Sequence, residues 1–364
     1  MQGREVKRYL DSLAKEKGLS LLDFSVWKKH QPLLRYTAKG TGKELLYLYS
    51  ATKPLTVVCA MRLVEEGKLS LGDPVKKYLP AFANMRVKGG APVQEEMTVK
   101  HLLTMTAGFN YDIYRPPVVE LLQKGICDTL SIVNAFASSP LDFQPGERFQ
   151  YSVCHDILGA VIEVASGKRF SRFMQELIFD PLGMRDTGFH LEKTRVLAPQ
   201  YWSEDSRTIA PFDKGNELVV GDEYDSGGAG VISTVGDYAL FADALACGGT
   251  DRNGYRLLQE QTLEKIREGN GGRLSLKNGF TCVQGEDYGY GLGVRTRIRA
   301  TDWGLPVGEF GWDGAAGTYL MVDPVNEVSI VIGMHLRNWP AIFDGEHLAI
   351  VKKAYADLHR EGII

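Results

Sequence analysis

Ser50-Ala51-Thr52-Lys53 puts a hydroxyl and an amine three residues apart, where an apolar stretch (Leu45, Leu46, Leu48) hands over to a predicted helix. Residues at that spacing share one helical face. Burial of such a turn disfavours the ammonium form of a lysine, and an uncharged amine beside a serine can take its proton. The pair is a nucleophile with its activator, the equipment of a serine hydrolase that works through an acyl-enzyme. The S-x-x-K pattern occurs three times in the chain. Ser12 and Lys15 fall in a highly charged N-terminal helix. Ser25 and Lys28 fall in an alternating segment, where positions three apart face opposite sides of a strand. Only Ser50 and Lys53 lead into a strongly apolar helix. Pro54 suits its first turn, Leu55, Val58, Cys59, Met61, Leu63 and Val64 fill it, and Gly67 suits its stop. The competing reading is a helix-capping serine and a solvated lysine.

A serine–lysine pair needs a third polar group to pass protons to the leaving atom. The best candidate is Tyr151, delivered by the Pro145-Gly146 turn just before an apolar helix at Cys154. A nearby cationic lysine favours a phenolate. The alternative is a packing tyrosine with one hydrogen-bonded hydroxyl. A third element is Gly311-Trp312-Asp313-Gly314-Ala315-Ala316-Gly317-Thr318. Its small residues on a strand edge let backbone approach a ligand, and N–H groups there can complete an oxyanion hole with the Ser50 N–H. The alternative is a β-bulge or hairpin turn.

The elements that must position these groups follow from periodicity. Leu22, Phe24 and Val26 alternate before a turn at Lys29 to Pro32, and Leu33 to Thr37 return. After a turn at Gly40 to Gly42, Leu45 to Tyr49 reads as a strand. The middle of the chain reads as helices: Thr98 to Met105, Leu130 to Ala137, Cys154 to Ala165 and Phe170 to Phe179. Gly227, Gly228 and Gly230 read as a flexible entry to Val231 and Ile232, followed by a helix from Val235 to Ala246. Tyr290, Leu292 and Val294 alternate as a strand, as do Tyr319 to Val322, and Val328 to Met334 is a fully apolar strand. Gly345 to His359 closes the chain as an amphipathic helix. Strands at both ends with helices between predict an α/β (α+β) protein. Its sheet domain comprises residues 1–75 and 225–364, and residues 76–224 form an inserted, mostly helical domain. The cleft between two such lobes is the natural place for a site.

Composition narrows the classes. The chain has 364 residues, 44% hydrophobic and 24% charged, ordinary for a globular protein with one or two cores. A net charge of −3 offers no basic field for nucleic acid or anionic lipid. No apolar run approaches bilayer length, and the charged Met1 to Gly18 segment lacks a secretory h-region. Cys59, Cys127, Cys154, Cys247 and Cys282 are scattered, with no C-x-x-C spacing. That predicts reduced thiols in a cytoplasmic protein and neither a disulfide framework nor structural zinc. No metal or cofactor is expected. The chain has no G-x-S-x-G elbow, H-E-x-x-H pair or Walker sequence, and His101 and His155 read as ordinary helix residues.

In this order, the pieces resemble the serine β-lactamase-like superfamily: class C β-lactamases, D-alanyl-D-alanine carboxypeptidases, family VIII esterases and related acyltransferases. The pieces are Tyr49 to Pro54, Leu63 to Val75, Thr98 to Gly108, Pro145 to Tyr151 and Gly228 to Asp237, and the resemblance runs from about Leu22 to the end. It implies a β-lactamase/transpeptidase-like fold, an antiparallel sheet flanked by helices. It also implies Ser50 as nucleophile, Lys53 and Tyr151 as general-base partners, and the N–H groups of Ser50 and Ala315 as the oxyanion hole. Two departures bear on substrate binding. Lactamase members carry Tyr-x-Asn where this chain has Val153, and Lys-Thr-Gly where it has Trp312-Asp313-Gly314. The first loses an amide for a substrate amide, the second a cation for a substrate carboxylate. A Trp-x-Gly third motif is similar to the family VIII esterases. Arg337, just beyond the last strand, still supplies a cation.

The expected activity is therefore a carboxylesterase, or acyl transfer, on small-molecule esters or amides. The alternatives are β-lactamase or D-Ala-D-Ala carboxypeptidase-like activity, and a non-catalytic binding module on the same fold. Aromatics around Phe109 to Pro117 and Gln200 to Tyr224, among them Tyr111, Tyr114, Trp202 and Phe212, either line an acyl pocket or pack the lobe. Neither a nucleic-acid nor a membrane partner is expected, and the sequence does not specify an oligomeric state.

Overall fold

The computed structural model describes residues 1–190, 195–204, 208–268 and 286–364. Cys282 lies outside the described residues, as does part of the Gln200 to Tyr224 loop.

A seven-stranded antiparallel sheet forms the frame, in the order β2-β1-β11-β10-β9-β8-β7. Its strands come from both ends of the chain. β1 (Leu22–Lys28) and β2 (Gln31–Lys39) precede the nucleophile. β7 (Tyr288–Tyr290), β8 (Arg295–Arg297), β9 (Phe310–Asp313), β10 (Tyr319–Asp323) and β11 (Val328–Gly333) come from the C-terminal part. The Tyr290–Val294 alternation does not make one strand. Gly293 takes a left-handed φ of 78°, and the segment turns between β7 and β8.

Strand periodicity explains why the central strands are apolar on both faces. Phe24, Val26, Tyr319, Met321, Ile330 and Ile332 join one core with Val6, Leu10, Ile350 and Tyr355. These last come from α1 (Arg4–Glu16) and the C-terminal helix His347–Arg360, which pack on each other. Leu320, Val322 and Val331, one position out of phase, join the opposite core.

That second core is continuous with the helical middle. It contains α2 (Lys53–Glu65), α3 (Val99–Leu103), α4 (Pro116–Gln123), α5 (Thr129–Phe136) and α6 (Cys154–Ser166). α2 is buried nearly all round, as its unbroken apolar composition requires. The boundaries follow local chemistry. Thr98 caps α3, its Oγ1 accepting from the His101 N–H while His101 Nδ1 accepts from the Thr98 N–H. Gly167 ends α6 in the left-handed conformation. α7 (Phe170–Met174) continues through a π-turn at Gln175–Phe179 into α8 (Asp180–Leu182). β4 (Tyr201–Ser203), β5 (Ile209–Pro211) and β12 (Leu336–Arg337) make a small separate sheet. Among the described residues no helix is long and apolar enough to cross a membrane.

Candidate active site

The strand ahead of Ser50 is short. β3 (Leu46–Tyr47) pairs with β6 (Ile232–Ser233), and Tyr49 already begins a 3-10 turn, Tyr49–Thr52, that runs into α2. Tyr49 is fully buried with φ at 49°, a left-handed conformation uncommon for a bulky residue. Its hydroxyl donates to Gln200 Oε1 at 2.6 Å and accepts from Arg337 Nη1 at 3.1 Å. The strained residue immediately before Ser50 is thus held at its far end, in keeping with strain kept where the surroundings over-determine it.

Lys53 is fully buried and its Nζ lies 3.1 Å from Ser50 Oγ. Its other partners are the Gly228 carbonyl at 2.8 Å and the Tyr111 hydroxyl at 3.4 Å. The ring of Tyr151 lies under the same nitrogen, 4.7 Å from it. Tyr151 is sandwiched between Tyr111 (5.4 Å) and Trp312 (5.8 Å), and its hydroxyl accepts the Trp312 indole N–H at 3.2 Å. The expected tyrosine therefore touches the lysine with its ring face. The hydroxyl that reaches the Ser50–Lys53 pair belongs to Tyr111, which is also hydrogen-bonded to Ser50. Burial, with Asp156 and Tyr151 adding to it, pushes the Tyr111 phenol well above its usual range, so that hydroxyl keeps its proton. Sequence reasoning named Tyr111 only as a pocket aromatic. The available signal was its position just past Gly108, a glycine at φ 91° whose Cβ would overlap the Phe143 carbonyl. Gly108 docks the Tyr111 turn onto the segment that carries Tyr151, where its carbonyl accepts from the Asp142 N–H at 2.7 Å.

The glycine segment after Tyr224 is not a flexible entry. Gly227 to Gly230 are buried and grip the nucleophile turn. Gly227 and Gly228 carbonyls accept from Thr56 Oγ1 and Lys53 Nζ, and the Val231 N–H donates to Thr52 Oγ1. A Cβ on Gly227 would overlap the His155 carbonyl, so these glycines permit close approach rather than motion. Asp156, also absent from the sequence reading, organises the loop. Its Oδ1 accepts from Ser226 Oγ (2.6 Å), Tyr224 Oη (3.0 Å) and the Gly228 N–H (3.3 Å). Burial raises its pKa, and the Ser226 bond and the Lys53 charge oppose that.

The third element approaches from the end of β9, an interior strand of the sheet paired with β8 and β10. Gly314 packs on the nucleophile turn so closely that a Cβ there would overlap the Leu48 carbonyl oxygen. Trp312, Asp313, Gly314 and Ala315 share with Ser50 and Tyr151 the wall of a cavity of about 510 Å³. Trp202, Trp339 and Phe343 line the rest, with Arg337 and Asn338. Ser50 sits in the first turn of its 3-10 helix, where N–H groups lack helical partners. Asp313 Oδ1 accepts from buried Arg295 at 2.8 Å. Val153 is fully buried at the start of α6 and does not line the cavity. A more polar cleft of about 430 Å³ between Val75 and Met97 lies apart from the Ser–Lys pair, so chemistry places the site in the aromatic cavity.

Of the other candidate ligands, His101 serves the α3 cap and His155 is fully buried, held neutral by burial and the Lys53 charge. Among the described residues one group has metal-ligand spacing: His30, Asp243 and Cys247, outside the cavity. There the His30 Nδ1–Asp243 contact of 2.8 Å staples the β1–β2 turn to α9 (Val235–Ala246).

Comparison with known proteins adds the chain's relatives. Esterase EstB of Burkholderia gladioli is 28% identical over 312 residues, covering 79% of this chain and 76% of EstB. A candidate D-alanyl-D-alanine carboxypeptidase of Escherichia coli K12 is 28% identical over 329 residues, covering 82% of this chain and 71% of that protein. Among solved structures, EstCE1, described as a hydrolase with promiscuous acyltransferase activity, superposes with a TM-score of 0.79 at 22% identity, covering 97% of both chains. The family model described as Beta-lactamase matches residues 7–354, in keeping with the fold and the buried Ser50–Lys53 pair, and the chain belongs to the Beta-lactamase family of serine hydrolases.

Proposed function

We propose that this protein is a carboxylesterase, with acyl transfer as its variant, acting on small esters through a Ser50 acyl-enzyme. The observation that carries the reading is the 3.1 Å Ser50–Lys53 contact on the wall of an aromatic cavity whose third motif offers Trp312 rather than a cation. Lys53 takes the Ser50 proton as Oγ adds to the ester carbonyl. The N–H groups of Ser50 and Ala315 receive the oxyanion. The bond to the alcohol oxygen then breaks, and the proton held by Lys53 reaches that oxygen through the Tyr111 hydroxyl. Tyr111 touches Lys53 and Ser50, and Tyr151 stacks on Tyr111, oriented by Trp312. Water, or a second alcohol, adds to the acyl-enzyme carbonyl, gives its proton to Lys53, and releases the acid or new ester with Ser50 reprotonated.

The likeness to EstB supports the ester preference over lactam hydrolysis. The third motif itself carries neutral Trp312, whose indole N–H donates to Tyr151, where lactamase members carry a lysine. Cys59, Cys127, Cys154 and Cys247 are free thiols, which supports a reducing, cytoplasmic setting. We keep residues 76–224 as the helical lobe of this enzyme, joined to the sheet by a shared core. The test is a pair of initial rates, on p-nitrophenyl butyrate and on a chromogenic cephalosporin, with Ser50→Ala as control. Fast ester turnover, slow lactam turnover and a dead variant are expected. Faster cephalosporin turnover, or an active Ser50→Ala, overturns the reading.

A further inference from the structure

Away from the cavity, Asp243 is a buried carboxylate without a fixed cation. Its side chain is 5% exposed, and among the described residues no lysine or arginine pairs with it. The two lysines at the β1–β2 turn are committed elsewhere, Lys28 to the Asn326 carbonyl at 2.6 Å and Lys29 to Glu327 at 3.0 Å. Buried charges in proteins are paired or coordinate a metal. What faces Asp243 is a set of ligand atoms. Its Oδ2 lies 2.8 Å from His30 Nδ1, and its Oδ1 lies 3.7 Å from Cys247 Sγ. One donor atom from each of the three residues falls within 4.8 Å of the other two.

Local structure sets this constellation. Asp243 and Cys247 are four residues apart at the C-terminal end of α9, so they share one face. His30 comes from the two-residue turn between β1 and β2, where Lys29 (φ 49°) and His30 (φ 65°) are both left-handed. Such turns favour Asn-Gly, so a histidine there is an unusual choice. Asp243 holds it in place: the His30 N–H donates to Oδ1 at 3.1 Å while the ring meets Oδ2. A tetrahedral zinc with bonds of about 2.0–2.3 Å sets its donor atoms about 3.3–3.6 Å apart. The Sγ–Oδ1 spacing is already close to that, and the Nδ1–Oδ2 pair has only to open slightly. An imidazole, a thiolate and a carboxylate together suit zinc rather than magnesium or calcium, which take oxygen ligands. The His30 side chain is 30% exposed, which leaves an entry path and room for water as the fourth ligand.

We propose that His30, Asp243 and Cys247 bind a zinc ion, the Cys247 thiol giving its proton to solvent as the zinc–sulfur bond forms. The site is independent of the esterase reading, and its role is structural. It ties the β1–β2 turn to α9, the helix whose Tyr238 hydroxyl donates to the Ala51 carbonyl at 2.6 Å, beside Ser50. The test is a cobalt titration of the whole, reduced, metal-stripped protein, with zinc as competitor. Cobalt reports thiolate ligation by a near-ultraviolet charge-transfer band and tetrahedral geometry by its visible bands. One cobalt per chain with a thiolate band, bleached by one zinc, is expected. Cys247→Ser nearly keeps the side chain's size and should lose that band and weaken zinc about a hundredfold. His30→Gln should keep the band and weaken zinc by about tenfold or more. Zinc should raise the urea midpoint of the native protein and leave that of Cys247→Ser unmoved. Cobalt that does not bind the native protein, a band that persists in Cys247→Ser, or an unchanged zinc affinity in His30→Gln overturns the proposal. X-ray absorption of the native zinc complex decides the same point without a variant that has to fold. One sulfur at about 2.3 Å among nitrogen and oxygen ligands is expected, and a shell with no sulfur or several overturns the site.

Discussion

Lys53 and Arg295 are both buried cations near one cavity, and they are kept in opposite ways. Arg295 is neutralised directly, by Asp313 and Glu309, and further held by the Leu320 carbonyl and the Tyr319 ring. Among the described residues the hydrogen-bond partners of Lys53 are neutral: a hydroxyl, a phenol and a carbonyl. Its nearby carboxylate, Asp156, acts through the Gly228 peptide, accepting from the N–H of the residue whose carbonyl takes Lys53. A close carboxylate fixes a proton on its partner. Neutral partners permit a proton to come and go. Strands β8 and β9 therefore read as scaffold and the head of α2 as chemistry, although both hold a cation out of water.

The sharpest way to break that contrast is Lys53→Arg. The charge and much of the reach remain, but arginine does not give up its proton. We expect kcat/KM on p-nitrophenyl butyrate to fall by about a thousandfold or more, no better than Lys53→Ala. Retained turnover would mean that Lys53 supplies only charge. Arg295→Met makes the complementary prediction. It removes the arginine that Asp313 and Glu309 share, leaving Glu309 with Arg297 at 3.8 Å, and unfolding in urea should show a loss of about 3–5 kcal/mol. A variant as stable as the parent would show that the pair contributes no more than an apolar packing there.

A smaller effect comes from a third way of managing a buried titratable group, keeping it uncharged. Burial pushes His335 down to about 4 and His347 to about 3, from an ordinary 6.5. His335 Nδ1 donates to the Ala198 carbonyl at 2.9 Å, and its Nε2 accepts from the Tyr47 N–H at 3.3 Å, three residues before Ser50. Between pH 6.5 and 4 the unfolded chain takes up protons that the folded protein refuses, so stability falls as pH falls through that window. The slope is at most about 1.4 kcal/mol per pH unit for each histidine. Urea midpoints at pH 7.5, 6 and 5 should fall in that order, less steeply in His335→Gln. A flat profile would mean that His335 takes its proton in the folded state.

What was legible along the chain was local. Helical period puts Ser50 and Lys53 on one face whatever the rest of the fold does. The Thr98 cap, the Gly167 stop and the two-faced burial of Val328 to Gly333 are likewise set by neighbours in sequence. Where reading by composition failed, the reason was distance. Three glycines in four residues look loose in isolation, yet Gly227 and Gly228 are small because His155 and Asp156 press on them from α6. Tyr151 was legible from its turn and helix, but only packing decides which tyrosine offers its hydroxyl and which its ring face.

By itself, then, the amino-acid sequence determined the pairing of Ser50 with Lys53, the sheet built from both termini and the tyrosine-bearing turn, because each depends on spacing within a few residues or on simple periodicity. Tertiary structure alone decided that Tyr111 stands at the serine, that Trp312 spends its N–H on Tyr151, and that Arg337 faces the cavity over the Tyr49 ring. Those contacts join residues between 61 and 288 positions apart. No local rule reaches so far, and only the packing of strands and helices into two shared cores brings them together.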